Sequence, residues 1–279
     1  MKKHILVLFL ISFCLSVVGQ NSISFQTDLG YFSKIDYQGA GITEDNNIKT
    51  NFVVNFTHFI KPKFALEAGI GLSSYLNKIM LPNMYNASDN EVDSFGSGFE
   101  FRVLANNYEE EQKLLLATIP LRLRFEGSLV PKGYIFYGSI GGKYMIPVSQ
   151  KNVVTANSIE TSGYYPNNNL LVENVPKHGF YTQNDVKTTA DSSFKSSFAL
   201  AAELGVKLKS ESLGIYIGGF LDYGLTDIRK EANTNESVIA YADADLSAKS
   251  NGVSTLRGID HVRLISCGFQ FRFALCEFK

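Results

Sequence analysis

Among the residues of this chain that could take part in catalysis are its histidines. His261 follows Asp260 and comes seven positions after Ser254, and a serine, a histidine and a carboxylate are the parts of a nucleophilic hydrolase. Adjacent residues of a strand point to opposite faces, so Asp260 and His261 are poorly placed to act together. We therefore expect His261 to be a polar residue near a strand end, and the chain not to be an enzyme.

The other side chains that could bind a metal or a cofactor do not form a recognisable site, so we expect neither to be bound. His58 adjoins a predicted short turn and His178 falls in a predicted loop, so neither joins the serine and the carboxylate. Asp89, Glu91 and Asp93 alternate as Ca²⁺ ligands sometimes do, but the EF-hand spacing and its glycine are missing. Surface carboxylates in solvent account for them better.

A larger set of ionisable residues alternates with apolar ones along the chain. It contains five acids and five bases: Asp28, Glu67, Arg122, Arg124, Glu126, Lys143, Glu203, Lys207, Asp222 and Arg272. If their side chains share a narrow interior, they should pair, because an unpaired buried charge is costly. Paired carboxylates could also suggest acid–base catalysis, but a cluster of structural ion pairs is the prediction, since each acid has a base available.

The elements that must position these residues are eight alternating segments. In the last of them, Ile265, Phe269 and Phe271 share one face while Gln270 and Arg272 share the other. Strands reverse side-chain direction at every residue, so each segment has one apolar and one polar face. The predicted strands are Ser22–Phe32, Asn51–Ile60, Phe64–Tyr75, Lys113–Glu126, Tyr134–Val148, Phe194–Lys209, Leu213–Leu225 and Asp260–Cys276.

The connections between these segments alternate in length, with short ones at 61–63, 127–133 and 210–212 and long ones at 33–50, 76–112, 149–193 and 226–259. Short periplasmic turns and long extracellular loops are typical of outer-membrane barrels. A lipocalin-like soluble barrel has the same period with its apolar face inward, so period alone does not exclude it.

The loop aromatics Phe95, Phe99, Phe101 and Tyr108 leave two interpretations open. They could extend two strands into a hairpin beyond the membrane, or they could form a contact patch for a partner.

The first nineteen residues read as a signal peptide, so residues 20–279 form the predicted barrel domain. Lys2 and Lys3 begin a basic start, an apolar run covers Ile5–Val18, and Gly19 is small enough to precede a cleavage site. Without Lys2 and Lys3, 24 basic residues stand against 27 acidic ones. A nucleic-acid partner would want a basic surface, so this balance argues against one.

Several segments resemble the small outer-membrane β-barrel families that include PorT-like proteins. They are Ile119-Pro120-Leu121 with the alternating Arg122 to Phe125, the segment Asp222 to Ile228, and the closing strand Ile265 to Phe273. The resemblance covers most of the mature chain in layout and rests on loose motifs. It implies a barrel fold and a link to secretion of cell-surface proteins, and it carries over no functional site.

The sequence thus predicts an all-β protein, a closed eight-stranded antiparallel transmembrane β-barrel in the outer membrane of a Gram-negative bacterium, with both termini periplasmic. Its expected role is non-enzymatic, structural or ligand-binding through the long loops, or as a component of a membrane assembly. The expected partners are outer-membrane lipid and other envelope or secretion-system proteins. The alternatives are a narrow passive channel for small solutes and a lipid-modifying enzyme.

Overall fold

The computed structural model describes residues 21–39, 42–44, 48–128, 134–190, 193–209, 213–230, 237–242 and 247–278. The predicted signal peptide, residues 1–19, lies outside these ranges. Among the described residues, no helix is long and apolar enough to cross a membrane.

The described residues form strands and three short 3₁₀ helices, so the predicted all-β class is confirmed. The strands are β1 (Asn21–Gly39), β2 (Thr43–Glu44), β3 (Ile48–Lys61), β4 (Phe64–Met80), β5 (Met84–Val92), β6 (Gly98–Asn106), β7 (Glu109–Ser128), β8 (Tyr134–Tyr165), β9 (Leu170–Val172), β10 (Thr182–Thr189), β11 (Ser197–Lys209), β12 (Leu213–Gly224), β13 (Ile239–Ala242), β14 (Ser247–Ser250) and β15 (Ile259–Phe278). The 3₁₀ helices are Pro166–Asn168, Pro176–His178 and Val253–Thr255.

Eight of these strands form a closed ring. Its antiparallel order is β11, β12, β15, β1, β3, β4, β7 and β8, and β8 pairs back to β11 from Leu208↔Tyr134 to Ser197↔Met145. Strands that follow one another in the chain are joined by short connections, at 62–63, 129–133 and 210–212, at one end of the ring, which we call the short-turn end. The long connections lie at the opposite, long-loop end.

The ring strands alternate as predicted, with apolar side chains outward. The exposed large apolar residues of the ring are Ile23, Phe25, Leu29, Phe52, Ile60, Phe64, Leu66, Ile70, Leu72, Ile119, Leu121, Leu123, Phe125, Ile140, Phe198, Leu200, Leu204, Val206, Ile217, Leu221, Phe269, Phe271, Phe273 and Leu275. The polar residues between them point inward and are buried.

Two facing glycines let the interior close. Gly205 and Gly218 are register partners on β11 and β12. A Cβ on Gly205 would lie 2.6 Å from the Cα of Gly218 and 2.9 Å from the Tyr137 ring. Only glycine leaves room at this point for Tyr137, whose side chain is completely buried.

Most ring strands are longer than the alternation alone predicted. β1 continues to Gly39, β4 to Met80 and β8 to Tyr165, a strand of 32 residues. Two predicted boundaries are wrong in the other direction. β11 begins at Ser197, and Phe194 forms only an isolated bridge with Arg229. β12 ends at Gly224, one residue before the predicted end.

The added strand length belongs to a second folded part, which we call the extension. It consists of the long-loop ends of the ring strands together with β5, β6, β9, β10, β13 and β14. β6 pairs with β8 and β5 pairs with β6, so the residues between β4 and β7 form a hairpin. Phe99, Phe101 and Tyr108 are buried in its core, whereas Phe95 at the hairpin tip is exposed. The hairpin interpretation therefore holds for Phe99, Phe101 and Tyr108.

The polarity of the two faces reverses between the ring and the extension. On β4, Glu67 points inward and Leu66 outward, but further along the same strand Ile79 is buried inward and Lys78 faces outward. The inner side of the extension is an apolar core that includes Ile35, Ile79, Phe101, Leu114, Val154, Val253, Val262 and Leu264. Single strands thus carry a polar interior at one end and an apolar interior at the other.

Candidate functional site

The centre of the ring holds two glutamates among three arginines. Glu67 on β4 pairs with Arg122, Arg124 and Arg272, with Arg272 Nη1 at 2.6 Å from its Oε2. Glu203 on β11 pairs with Arg122 and with Arg272, whose Nη2 lies 2.8 Å from Oε2. Each glutamate therefore receives more than one charge-assisted hydrogen bond, which offsets the cost of burying its charge.

A second group lies toward the long-loop end. Asp222 on β12 accepts hydrogen bonds from Lys143, at 2.6 Å, and from Lys49. Lys49 also donates to Ser266 at 2.9 Å, and its ammonium lies 4.7 Å from the centre of the Phe220 ring. The fully buried Lys49 is thus held by a carboxylate, a hydroxyl and an aromatic face.

A third group lies toward the short-turn end. Glu126 on β7 accepts from Lys207 at 3.1 Å and from the hydroxyl of Tyr216 at 2.9 Å. Arg124 lies between this group and the centre, with its guanidinium 5.0 Å from the Tyr216 ring centre. Charged groups therefore follow one another along the ring axis, and we call all of them together the ion-pair cluster.

The structure places all ten predicted charged residues in this interior, and each is at most 7% exposed. Many of the pairs join strands that are not neighbours, as Glu67 on β4 does with Arg272 on β15. Such pairs cross the interior and tie opposite walls together. The cluster thus combines burial with cross-wall ion pairing, the arrangement that makes loss of one partner costly.

Two expectations about the interior are wrong. Lys49, predicted to lie in a loop, belongs to β3 and adds a sixth base to the five acids, so the charges do not balance. Among the residues that the structure describes, no base forms an ion pair with Asp28, which accepts hydrogen bonds from the amides of Gln26, at 2.8 Å, and Asn51, at 2.6 Å. The signal for Lys49 was present, since Lys49, Asn51 and Asn55 alternate with apolar residues across the predicted strand start.

Ser254, Asp260 and His261, which are not expected from the sequence to act as a catalytic group, are not brought together in the structure. Ser254 is buried in the 3₁₀ helix Val253–Thr255, whereas Asp260 and His261 are exposed on β15. Among the described residues, no hydrogen bond joins any two of them. His58 instead bonds Asn21 Oδ1 at 2.7 Å near the short-turn end, and His178 is exposed at the far end of the extension. The described side chains also contain no group of three or more His, Cys, Asp or Glu that could hold a metal ion.

One functional-looking carboxylate was missed by the sequence interpretation. Glu110, in a run of three glutamates on β7, is completely buried in the extension. Its Oε2 accepts from the backbone N–H of Val253 at 2.6 Å, and its Oε1 accepts from Gln112 at 2.7 Å. Burial raises the pKa of Glu110 above its ordinary value of 4.5, partly opposed by these two hydrogen bonds. Glu110 thus fastens the Val253–Thr255 segment onto the end of the ring.

Loss of charge at the centre of the ion-pair cluster should destabilise the fold. Glu67→Gln leaves three buried guanidinium groups short of a counter-charge, and we expect a loss of about 3–5 kcal/mol in the free energy of unfolding. Urea unfolding in detergent micelles measures it. The matched control is Glu100→Gln, which breaks a half-exposed pair with Arg102 and should cost less than ~1 kcal/mol. Equal unfolding midpoints for the two variants would contradict a structural role for the cluster.

Loss of the Glu110 carboxylate should release the Val253–Thr255 segment. A hydrogen bond to a charged group contributes about 1.5–3 kcal/mol, so Glu110→Ala should speed exchange of the Val253 amide hydrogen about 10- to 100-fold. Mass-spectrometric hydrogen exchange measures it, with the exposed neighbour variant Glu111→Ala as control.

The raised pKa of Glu110 also predicts a pH dependence of stability. Because its pKa is higher in the folded state, Glu110 binds a proton more tightly in the folded protein than in the unfolded one. The contribution of Glu110 to stability should therefore fall as pH rises from 4.5 to its raised folded pKa, and Glu110→Ala removes this contribution to the slope.

Comparison of the chain with protein-family models finds no match, and comparison with curated protein sequences finds none either.

Proposed function

We propose that this chain is an integral outer-membrane protein of a Gram-negative bacterium. In this proposal the ring is a transmembrane β-barrel that anchors the extension at the cell surface as a non-enzymatic binding region. The reversal of polarity along single strands carries the proposal. A soluble barrel buries its apolar face throughout, whereas here apolar side chains face outward in the ring and inward in the extension. A change of surroundings from hydrocarbon to water accounts for both halves.

The outer face of the ring supports a lipid environment. Its described outward positions carry no Asp, Glu, Lys or Arg over 23–29, 52–60, 64–72, 115–125, 134–148, 198–208, 215–223 and 265–275. Exposed apolar surface of this extent on a water-soluble protein would promote association. From Leu115 to Phe125 the strand is roughly 33 Å long. At a tilt of about 40° this gives a band of about 25 Å, the height of the apolar band in outer-membrane barrels.

Aromatic side chains at both borders of the band support the same placement. Tyr144 packs on Phe198 near the long-loop end, with ring centres 4.6 Å apart. Phe64 packs on Phe125 near the short-turn end, at 5.3 Å. Girdles of aromatic residues flank the apolar band of outer-membrane barrels at both interfaces.

The filled interior favours an anchor over a channel. An eight-stranded barrel has an interior that side chains alone can fill, and here charged side chains fill it from Glu126 to Lys49. A solute would have to displace cross-wall ion pairs that reach from one side to the other. The folded extension, in contrast, presents strands, turns and pockets to the outside, which is the arrangement expected of a protein that binds a partner or a ligand there.

The PorT-like resemblance adds a proposed context. Under it, the extension meets envelope or secretion-system proteins at the cell surface. The even strand count separately supports placing both termini in the periplasm. The short connections of the ring and both ends of the described chain lie at one end, as this orientation requires.

If the ring is inserted in a membrane, a charged side chain on its outer face should lower folding stability, whereas one on the surface of the extension should not. Leu121→Arg places a guanidinium in the proposed hydrocarbon layer and should lower folding stability in lipid vesicles by about 2–4 kcal/mol. Met84→Arg is the control, since Met84 is also an exposed apolar residue but lies on β5 in the extension. Equal effects of the two substitutions would favour a water-soluble protein.

The proposed orientation is tested by labelling single cysteines in intact cells with a membrane-impermeant maleimide. A cysteine replacing Val92 on the extension should react at once, and one replacing Lys61 at the short-turn end should react only after the outer membrane is opened. All variants carry Cys276→Ser, so that the native Cys267 is the other cysteine of the mature chain. Cys267 faces outward in the apolar band and should remain unlabelled in both cases. Prompt labelling at Lys61 would contradict the orientation, and recovery of the protein in the soluble fraction would contradict the membrane location.

A further inference from the structure

The end of the extension farthest from the ring contains a pocket of about 440 Å³, which we call the tip pocket. The turn between β5 and β6 forms one side of it, through Asp93 and Phe95. The segment from Tyr165 to Val172 and the region of His178 form the other sides. Its volume is within the range of ordinary small-ligand sites.

The floor of the tip pocket is rigid. Phe180 and Tyr241 line it and pack against Phe99, with ring centres 5.7 and 5.2 Å away, and Tyr165 stacks on the same ring at 5.3 Å. Phe99 and Phe180 are each 2% exposed. Because these rings hold one another in place, the pocket exists before any ligand binds, and binding would cost little ordering.

Apolar side chains at the rim of the tip pocket are exposed to solvent. Phe95 is 87% exposed and Leu170 is 50% exposed. Phe95 is displayed by a fixed turn, in which Asp93 Oδ1 accepts from the backbone N–H of Phe95 and of Ser97, both at 2.9 Å. An aromatic ring held outward by such a turn is available to cover an apolar group that enters the pocket.

Asp93 is the one carboxylate among the lining residues of the pocket. Asp93 also accepts from the hydroxyl of Tyr165, at 3.2 Å, through its second oxygen. The hydrogen bonds from the Ser97 and Phe95 N–H groups lower the pKa of Asp93, so it is ionised at neutral pH. Among the lining residues of the pocket, the other groups that can ionise are His178, Tyr165 and Tyr241, and no Lys or Arg lines it. Asp93 Oδ2 retains a lone pair, because Tyr165 is its one hydrogen-bond donor among the described residues.

We propose that the tip pocket binds a cationic nitrogen on an apolar body, either a free organic amine or the Lys or Arg side chain of an extracellular peptide. The aromatic rings and Leu170 would cover the apolar body, and the carboxylate of Asp93 would face the nitrogen. Cations are attracted both by a carboxylate and by aromatic faces, so the two features favour the same ligand. This inference rests on the proposed binding role of the extension and names the ligand chemistry of one site on it.

The test uses the full-length protein purified in detergent and isothermal titration with three probes. They are 2-phenylethylammonium, its neutral analogue 2-phenylethanol, and an N-acetylated Phe-Lys-Phe amide peptide. We expect the ammonium to bind at least 10-fold more tightly than the alcohol. Tighter binding of the peptide than of the free amine would identify a peptide as the source, and the reverse order a small amine.

Two matched variants test whether the charge of Asp93 or only the shape of the pocket determines binding. Asp93→Asn keeps a side-chain oxygen for the turn, so it should weaken the two cationic probes at least 10-fold and leave the alcohol unchanged. Asp89→Asn is the control, since Asp89 pairs with Arg257 outside the pocket and should change nothing. Equal binding of the ammonium and the alcohol, or unaltered cation binding in Asp93→Asn, would overturn the proposal, as would no binding of any probe at millimolar concentration.

The membrane anchor is judged separately in the same preparations. A folded barrel migrates differently before and after boiling on a cold gel, whichever probes bind. A heat-modifiable protein that binds no probe overturns the tip-pocket inference alone, whereas loss of the heat-dependent shift in the unmodified protein counts against the proposed barrel.

Discussion

The structure depends on the closure of its backbone hydrogen-bond ladder where β8 meets β11. Closure leaves no unpaired edge in the ring, so every ring strand can turn apolar side chains outward. It also fixes a narrow interior that side chains must fill. Charged residues in such a space remain ionised only when they contact opposite charges or several donors, which explains why Glu67 and Glu203 each bind more than one arginine.

The strand that closes the ring, β8, also connects the ring to the extension. β8 pairs with β7 and β11 inside the ring and then, over its second half, with β6, β9 and β10. The extension is therefore a continuation of the ring wall, and its apolar core rests directly on the polar one. Glu110 adds a further link, since its carboxylate binds the N–H of Val253 across this junction.

A filled ring and a folded extension suit a rigid anchor that presents a binding surface. The strands that would cross the membrane are tied together by ion pairs, so the extension is held in a defined orientation. Pockets at its far end then keep their shape without a ligand, as the packed rings around Phe99 do for the tip pocket. In this proposal the stability of the ring serves recognition at the surface.

The sequence by itself determined the all-β class, the faces of the eight ring strands and the ten predicted interior charges, because a period of two residues assigns each side chain to a face without reference to any other strand. It did not determine the strand ends, since alternation continues into the extension while its polarity reverses. The ion-pair partner of Lys49, the amide partners of Asp28 and the burial of Glu110 were decided by tertiary structure alone. Each depends on which strands meet across the interior, and a pattern along one strand does not contain that information.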